Sequence, residues 1–196
     1  MSDVVAGVDF AIQGHLSLRA KKGGSYKGSV ANMSLGGGKS RPLDAAVSNA
    51  IDQGLHFAVA AGNDNRDACN YSPAAAVTVG ASSSDDSRAY FSNHGPCVDV
   101  FGPGKDVESA WIGSNTAKRT ISGTSMASPH VAGLIAYYLS LAPESDSGFH
   151  SGTLTPKEMK ALLKETATRD ALTDVNYRTP NLLIYNDANK HNYFAW

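Results

Sequence analysis

The chain is 196 residues long, with 17 Lys and Arg against 18 Asp and Glu and a formal net charge of −1. That length suffices for one α/β domain with a buried core. The balanced charge gives no footprint for nucleic acid or an anionic membrane, and no apolar run is as long as a membrane span.

No charged-then-apolar leader pattern follows Met1. Instead Ser2 is placed to cap a helix whose Val4, Val5, Val8, Ile12 and Leu16 recur at helical spacing, ending in Arg19-Ala20-Lys21-Lys22 and Gly23-Gly24. This predicts an amphipathic layer over a sheet, with His15 an ordinary helix histidine near the edge of the stripe. A helix that begins at residue 2 points to a chain that starts partway into a larger domain. Residues 29–35 read as a strand running into Gly36-Gly37-Gly38. Lys39-Ser40 then gives a superficial likeness to a phosphate-binding loop, but that motif needs glycine where Met33 stands, so nucleotide binding is not expected.

Pro42 marks a helix start, Leu43, Ala46, Val47, Ala50 and Ile51 its buried face, and Gly54 its end. Residues 55–61 form a nearly continuous apolar strand, as in a parallel sheet covered on both faces. Strand, helix and strand make a right-handed crossover, whose strand ends point toward a site. At that end Gly62-Asn63 stands, where an asparagine either favours a turn or aims its NH₂ at a nearby carbonyl oxygen. Asn70-Tyr71-Ser72 is a glycosylation sequon in a surface loop, whereas Asn32-Met33-Ser34 fits the pattern inside a predicted buried strand. The two cysteines, Cys69 and Cys97, lie in loops on either side of a strand over residues 77–81. They lack metal-type spacing, and both one bridge and two free thiols remain open. Residues 91–95 and 98–104 read as strand-and-turn segments, followed by 107–112 and 119–122.

The last of these delivers Gly123-Thr124-Ser125-Met126-Ala127-Ser128-Pro129-His130-Val131-Ala132-Gly133, a turn entering an apolar helix. A serine at a helix start sits among unpaired N–H groups at the positive end of the dipole, where an oxyanion is stabilised. The plain alternative is a helix cap. Pro129 is expected in the first turn, where its missing N–H costs nothing. The Gly-x-Ser-x-Gly nucleophile elbow fails, because Ala127 holds the fifth position. His94 and His130 are bases by type only; His130 faces away from Ser125 and is expected to be buried and hydrogen-bonded. After a polar loop over 144–152, Thr155-Pro156-Lys157-Glu158 opens a helix with capping-box spacing and Met159, Leu162, Leu163 and Thr166 inward. Residues 181–186 predict a short packed strand ahead of the terminal Tyr193-Phe194-Ala195-Trp196.

In their order, Asn32-Met33-Ser34-Leu35-Gly36-Gly37, Ala60-Ala61-Gly62-Asn63, Tyr71-Ser72-Pro73-Ala74, Phe91-Ser92-Asn93 and Ile121 to Ala127 resemble the catalytic domain of the subtilases. The proteinase K-like branch fits best, and Asp67-Ala68-Cys69-Asn70 with the long tail is similar to fungal vacuolar serine proteases of the cerevisin type. The resemblance implies a three-layer α/β domain, with a mostly parallel central sheet between helices and its N-terminal part missing. It covers residues 1–196, of which about 171–196 would be a C-terminal extension. It implies that Ser125 attacks the scissile carbonyl of a polypeptide and that Asn63 and the Ser125 N–H hold the oxyanion. Ser34, Leu35 and Gly36 would pair with the substrate as an added strand, and Ala60, Ala61 and Gly62 would line the pocket before the cleaved bond. A propeptide or inhibitor is a further implied partner, the implied location is vacuolar or secreted, and no cofactor is implied. Several such proteins are allergens, so a non-enzymatic antigen bound by IgE, or a truncated product, is the competing reading. A pseudoenzyme that only binds peptide is a third.

The departures from the family matter as much. Subtilases run Asp, His, Ser along the chain, and both partners precede the segment matching residues 29–37. Neither Asp3 nor Asp9 followed by His15 stands in that context, so the aspartate and the histidine are read as absent. A serine hydroxyl with no base is a poor nucleophile, and the chain alone is expected to be inert. A missing neighbouring strand would also leave an apolar sheet edge and make the chain aggregation-prone. The family binds calcium through a carboxylate equivalent to Asp99 and carbonyls of the loop at residues 74–76, which is short here. That makes Asp99 only a weak calcium candidate, and no bound metal is expected.

Overall fold

The structure is a computed structural model that describes residues 1–73, 76–142 and 153–186. It opens with α1 (Ser2–Lys22), whose N-cap is Met1. The expected Ser2 cap is therefore corrected: Ser2 lies inside the helix, and its hydroxyl turns to Asp3 Oδ1 at 3.2 Å. Val8, Ile12 and His15 are buried on one face. His15 thus sits within that face rather than at its edge, where the Tyr26 hydroxyl meets its Nδ1 at 3.0 Å.

Next come β1 (Ser29–Met33), β2 (Gly37–Gly38), α2 (Arg41–Asp52) and β3 (Leu55–Ala60). In α2, Pro42 falls in the first turn and Leu43, Val47 and Ala50 are buried, as their spacing requires. After β4 (Tyr71–Ser72), β5 (Val77–Ser82), β6 (Val100–Pro103), β7 (Val107–Ala110) and β8 (Lys118–Ile121) come α3 (Thr124–Leu141) and α4 (Pro156–Thr166). The short strands β9 (Thr168–Arg169) and β10 (Leu182–Leu183) follow. The main sheet has the order β1-β3-β5-β6-β10-β9, parallel throughout except for β9.

Strand β3 shows why the sheet is covered on both faces. Leu55, Phe57 and Val59 pack with α1 and α2, while Ala58 packs with Val131, Ile135 and Tyr138 of α3. Alternate side chains of one strand therefore serve two separate cores, and the strand needs no polar face. Strand β1 differs: it pairs with β3 on one side, no other described strand flanks it, and Asn32 is exposed. That corrects the reading of Asn32 as buried.

Residues 91–95 were expected to include a strand; they form turns instead, with an isolated bridge between Asp67 and His94. The Asn93 side chain, fully buried, takes over the ladder's role. It donates to Ala61 O at 2.8 Å and accepts from the N–H groups of Asp64 and Arg66 at 3.1 and 2.9 Å. Cys69 and Cys97 are joined in a disulfide with Cα atoms 5.1 Å apart, tying the loop after Asn63 to the segment before β6. Residues 171–186 pack on the sheet: Leu172 and Leu182 are buried, and β10 pairs with β6. The 144–152 loop and residues 193–196 lie outside the described residues, as do residues 74 and 75.

Candidate active site

The ends of β1 and β3 carry residues 34–36 and 61–63, and α3 packs across both strands with its N-terminus beside them. Gly104 allows this approach, since a Cβ there would lie 2.5 Å from Ala81 Cβ and 2.9 Å from the carbonyl of Gly123. In return Gly123 N–H donates to Gly104 O at 2.8 Å, anchoring the helix start.

Three backbone N–H groups at that start have different fates. Thr124 N–H donates to Asn63 Oδ1 at 2.8 Å and Met126 N–H to Gly123 O at 3.0 Å. Ser125 N–H has no partner among the described residues, so it is an unspent donor at the positive end of an 18-residue helix. Asn63 is fixed by its oxygen: Thr124 Oγ1–H also donates to Oδ1, at 2.9 Å, and Gly62 N–H donates to Thr124 Oγ1 at 3.1 Å. With Oδ1 held twice, Nδ2 is left for an outside acceptor. Gly62 carries φ of 103°, and a Cβ there would collide with Asn93 Nδ2. Only glycine suits that turn.

Around Ser125 the polar contacts run in a chain. Ser125 Oγ donates to Ser34 O at 3.3 Å, and Ser34 Oγ donates to Ser125 O at 2.7 Å. Asn32 Nδ2 donates to Ser34 Oγ at 2.9 Å, and Ser128 Oγ donates to Asn32 Oδ1 at 2.7 Å. Pro129 explains why Ser125 O is free to accept. Pro129 is the sixth residue of α3, which corrects its expected place in the first turn. It lacks the N–H that would have bonded the carbonyl four residues back.

No histidine bonds to Ser125 Oγ among the described residues. His130 Nδ1 pairs with Met126 O at 2.8 Å, and His130 is exposed, correcting the expectation of burial. His94 is held by backbone bonds to Arg66 and Ala68. His15 and His56 are buried, each with an unpartnered Nε2. Burial pushes the His56 imidazole down to about 4, against a weaker upward pull from the Leu154 backbone; His15 is lowered by the same cause. Both are kept neutral, and they serve as packing.

Leu35 is 44 % exposed beside Ser34, while Ala61 is buried beneath Asn63. Met126, Pro129, Trp111 and Arg119 bound an open cleft of about 450 Å³, with the Arg119 guanidinium 4.6 Å above the Trp111 ring. Asn70 is exposed at the end of a 3-10 turn. The Asp99 carboxylate oxygens are ion-paired with Lys160 and Lys164 at 2.7 and 3.3 Å. Thr124, Asn32, Ser128 and Asn93 were given no role from the sequence. The partners that reveal them lie 27 to 96 positions away along the chain.

A model of the subtilase family of peptidases matches residues 5–187. The chain is 62 % identical to the subtilisin-like proteinase Spm1 of Pyricularia oryzae, over 99 % of this chain and 38 % of that one. It is 60 % identical to alkaline protease 2 of Aspergillus fumigatus (98 % and 40 %) and 59 % identical to the subtilisin-like serine protease Pen ch 18 of Penicillium rubens (98 % and 40 %). A cold-adapted subtilisin-like serine proteinase superposes with a TM-score of 0.79 at 46 % identity, over 94 % of this chain and 61 % of that one. The chain spans about two-fifths of the length of these curated relatives. On the match over residues 5–187, and on a helix that presents Ser125 beside Asn63, the chain belongs to the subtilase family.

Proposed function

We propose that the chain is the serine-bearing part of a serine endopeptidase, acting on polypeptides through an acyl-enzyme on Ser125. The observation that carries this is Asn63: both bonds to its Oδ1 come from Thr124, next to the nucleophile, leaving Nδ2 and the Ser125 N–H as two unspent donors. Two donors converging on one carbonyl oxygen stabilise the charge that develops as a tetrahedral adduct forms. Ser125 Oγ bonds to the carbonyl carbon, its proton passes to a base and then to the leaving amine as the C–N bond breaks, and water hydrolyses the ester. Ser34, Leu35 and Gly36 hold the substrate as an added strand, with Ala60, Ala61 and Gly62 bounding the pocket before the cleaved bond.

The base is the part these residues do not supply. In this chain the Ser125 proton faces the Ser34 carbonyl, which cannot accept it outright. We assign the base to the portion of the relatives that this chain does not match, and read the chain alone as inert. The Cys69–Cys97 disulfide supports a vacuolar or secreted setting, where oxidised cysteines persist. A propeptide or inhibitor would occupy the same substrate edge. Recognition by antibody, IgE included, needs no turnover, and the exposed Ile112 and Tyr177 offer surface for it.

The test is peptide hydrolysis by this chain, by a form extended upstream to the relatives' length, and by Ser125→Ala in that form. Turnover confined to the extended form with Ser125 intact is expected. Turnover that survives Ser125→Ala overturns the assignment.

A further inference from the structure

Asp99 precedes β6 and is 6 % exposed, and a buried carboxylate with no counter-charge is strongly unfavourable. Its Oδ2 accepts the Thr78 N–H at 2.9 Å, and its own N–H donates to Thr78 O at 2.9 Å, so it is locked against β5. The counter-charge comes from α4. Lys160 and Lys164, four residues apart and so on one helix face, bring their Nζ atoms to 2.7 Å from Oδ2 and 3.3 Å from Oδ1. Lys160 also donates to the Ala76 carbonyl at 3.0 Å.

Lys160 therefore bridges a carboxylate oxygen and a loop carbonyl, the two kinds of ligand that a hard divalent cation takes. Such an ion needs six or more oxygens, whereas Lys160 Nζ meets Asp99 Oδ2 and Ala76 O, and the other carboxylate oxygen is taken by Lys164. An ammonium with three N–H donors fits where that ion does not. We propose that Lys160 is the tethered resident cation of this site, standing where family resemblance implies calcium. The junction of α4, β5 and the segment before β6 is then held without metal.

The experiment follows thermal unfolding of the full chain in a calcium chelator and in millimolar calcium, for wild type, Lys160→Arg, Lys160→Ala and Asp99→Asn/Lys160→Ala. Wild type and Lys160→Arg should melt at the same temperature in both solutions. Lys160→Ala should melt about 5–10 °C lower in both solutions, because deleting the amine adds no oxygen ligand for calcium. The double variant, with no carboxylate left to pair, should recover part of that loss. If Lys160→Ala is insoluble, the refolding yields of the same variants give the same reading. A wild-type melt that falls in chelator, a Lys160→Ala melt or yield that calcium restores, or one equal to wild type, overturns the proposal.

Discussion

Ser125 owes its chemical setting to the polar residues packed beside it. Thr124 holds Asn63 by both its N–H and its hydroxyl, and accepts from Gly62 in turn. Thr124→Val removes the hydroxyl and leaves the Gly62 N–H without its acceptor, so a loss of about 1–3 kcal/mol is expected in denaturant unfolding. On the proposed role of Asn63 as an oxyanion donor, Asn63→Ala in an extended form should lower kcat on the order of 10²–10³-fold. His56 is a second residue whose surroundings make a prediction. Its imidazole is held down to about 4, against 6.5 for a free side chain. The unfolded chain therefore binds more protons between those values, and stability falls as the pH drops from about 6.5 to 4, by roughly 3 kcal/mol in all. His56→Leu should flatten that slope in melts taken across the range, and an unchanged slope would place the titrating group elsewhere.

Elements were legible in the sequence to different degrees, for physical reasons. The helix α4 was readable at its first residue because the capping box is local: Thr155 Oγ1 accepts the Glu158 N–H at 3.3 Å and Glu158 Oε2 accepts the Thr155 N–H at 2.8 Å. Thr155→Ala should cost about 1 kcal/mol in the same unfolding assay. The helices α1 and α2 and the strand β3 followed from periodicity and unbroken apolar runs. The segment around Asn93 was not readable, because a buried side chain, not a strand ladder, satisfies the neighbouring backbone. The Ser2 cap and the place of Pro129 were misjudged by a few residues, as helix starts depend on the preceding turn. Ser125, Asn63 and residues 34–36 were named from their motifs, but the contacts around them join residues 61 to 96 positions apart. Spacing along the chain says nothing about such pairs.

At the scale of the whole molecule, two features oppose each other. The disulfide closes a loop with a sequence separation of 28, and its reduction or Cys69→Ser should cost about 3–4 kcal/mol, read as a lower unfolding midpoint. Against it, β1 presents a strand edge with no described neighbour beyond β3. Sedimentation at rising concentration is expected to show association, whereas a monomer with a sharp, reversible melt would show that the edge is harmless. The same open side bears on reactivity, since β1 leads directly to Ser34, whose carbonyl takes the Ser125 proton donor. The most direct measurement is fluorophosphonate labelling followed by mass spectrometry of the Ser125 peptide, in this chain and in a form extended upstream to the relatives' length. The account predicts an unmodified Ser125 in the first and a modified Ser125 in the second; labelling of the chain alone, or of neither form, would contradict it.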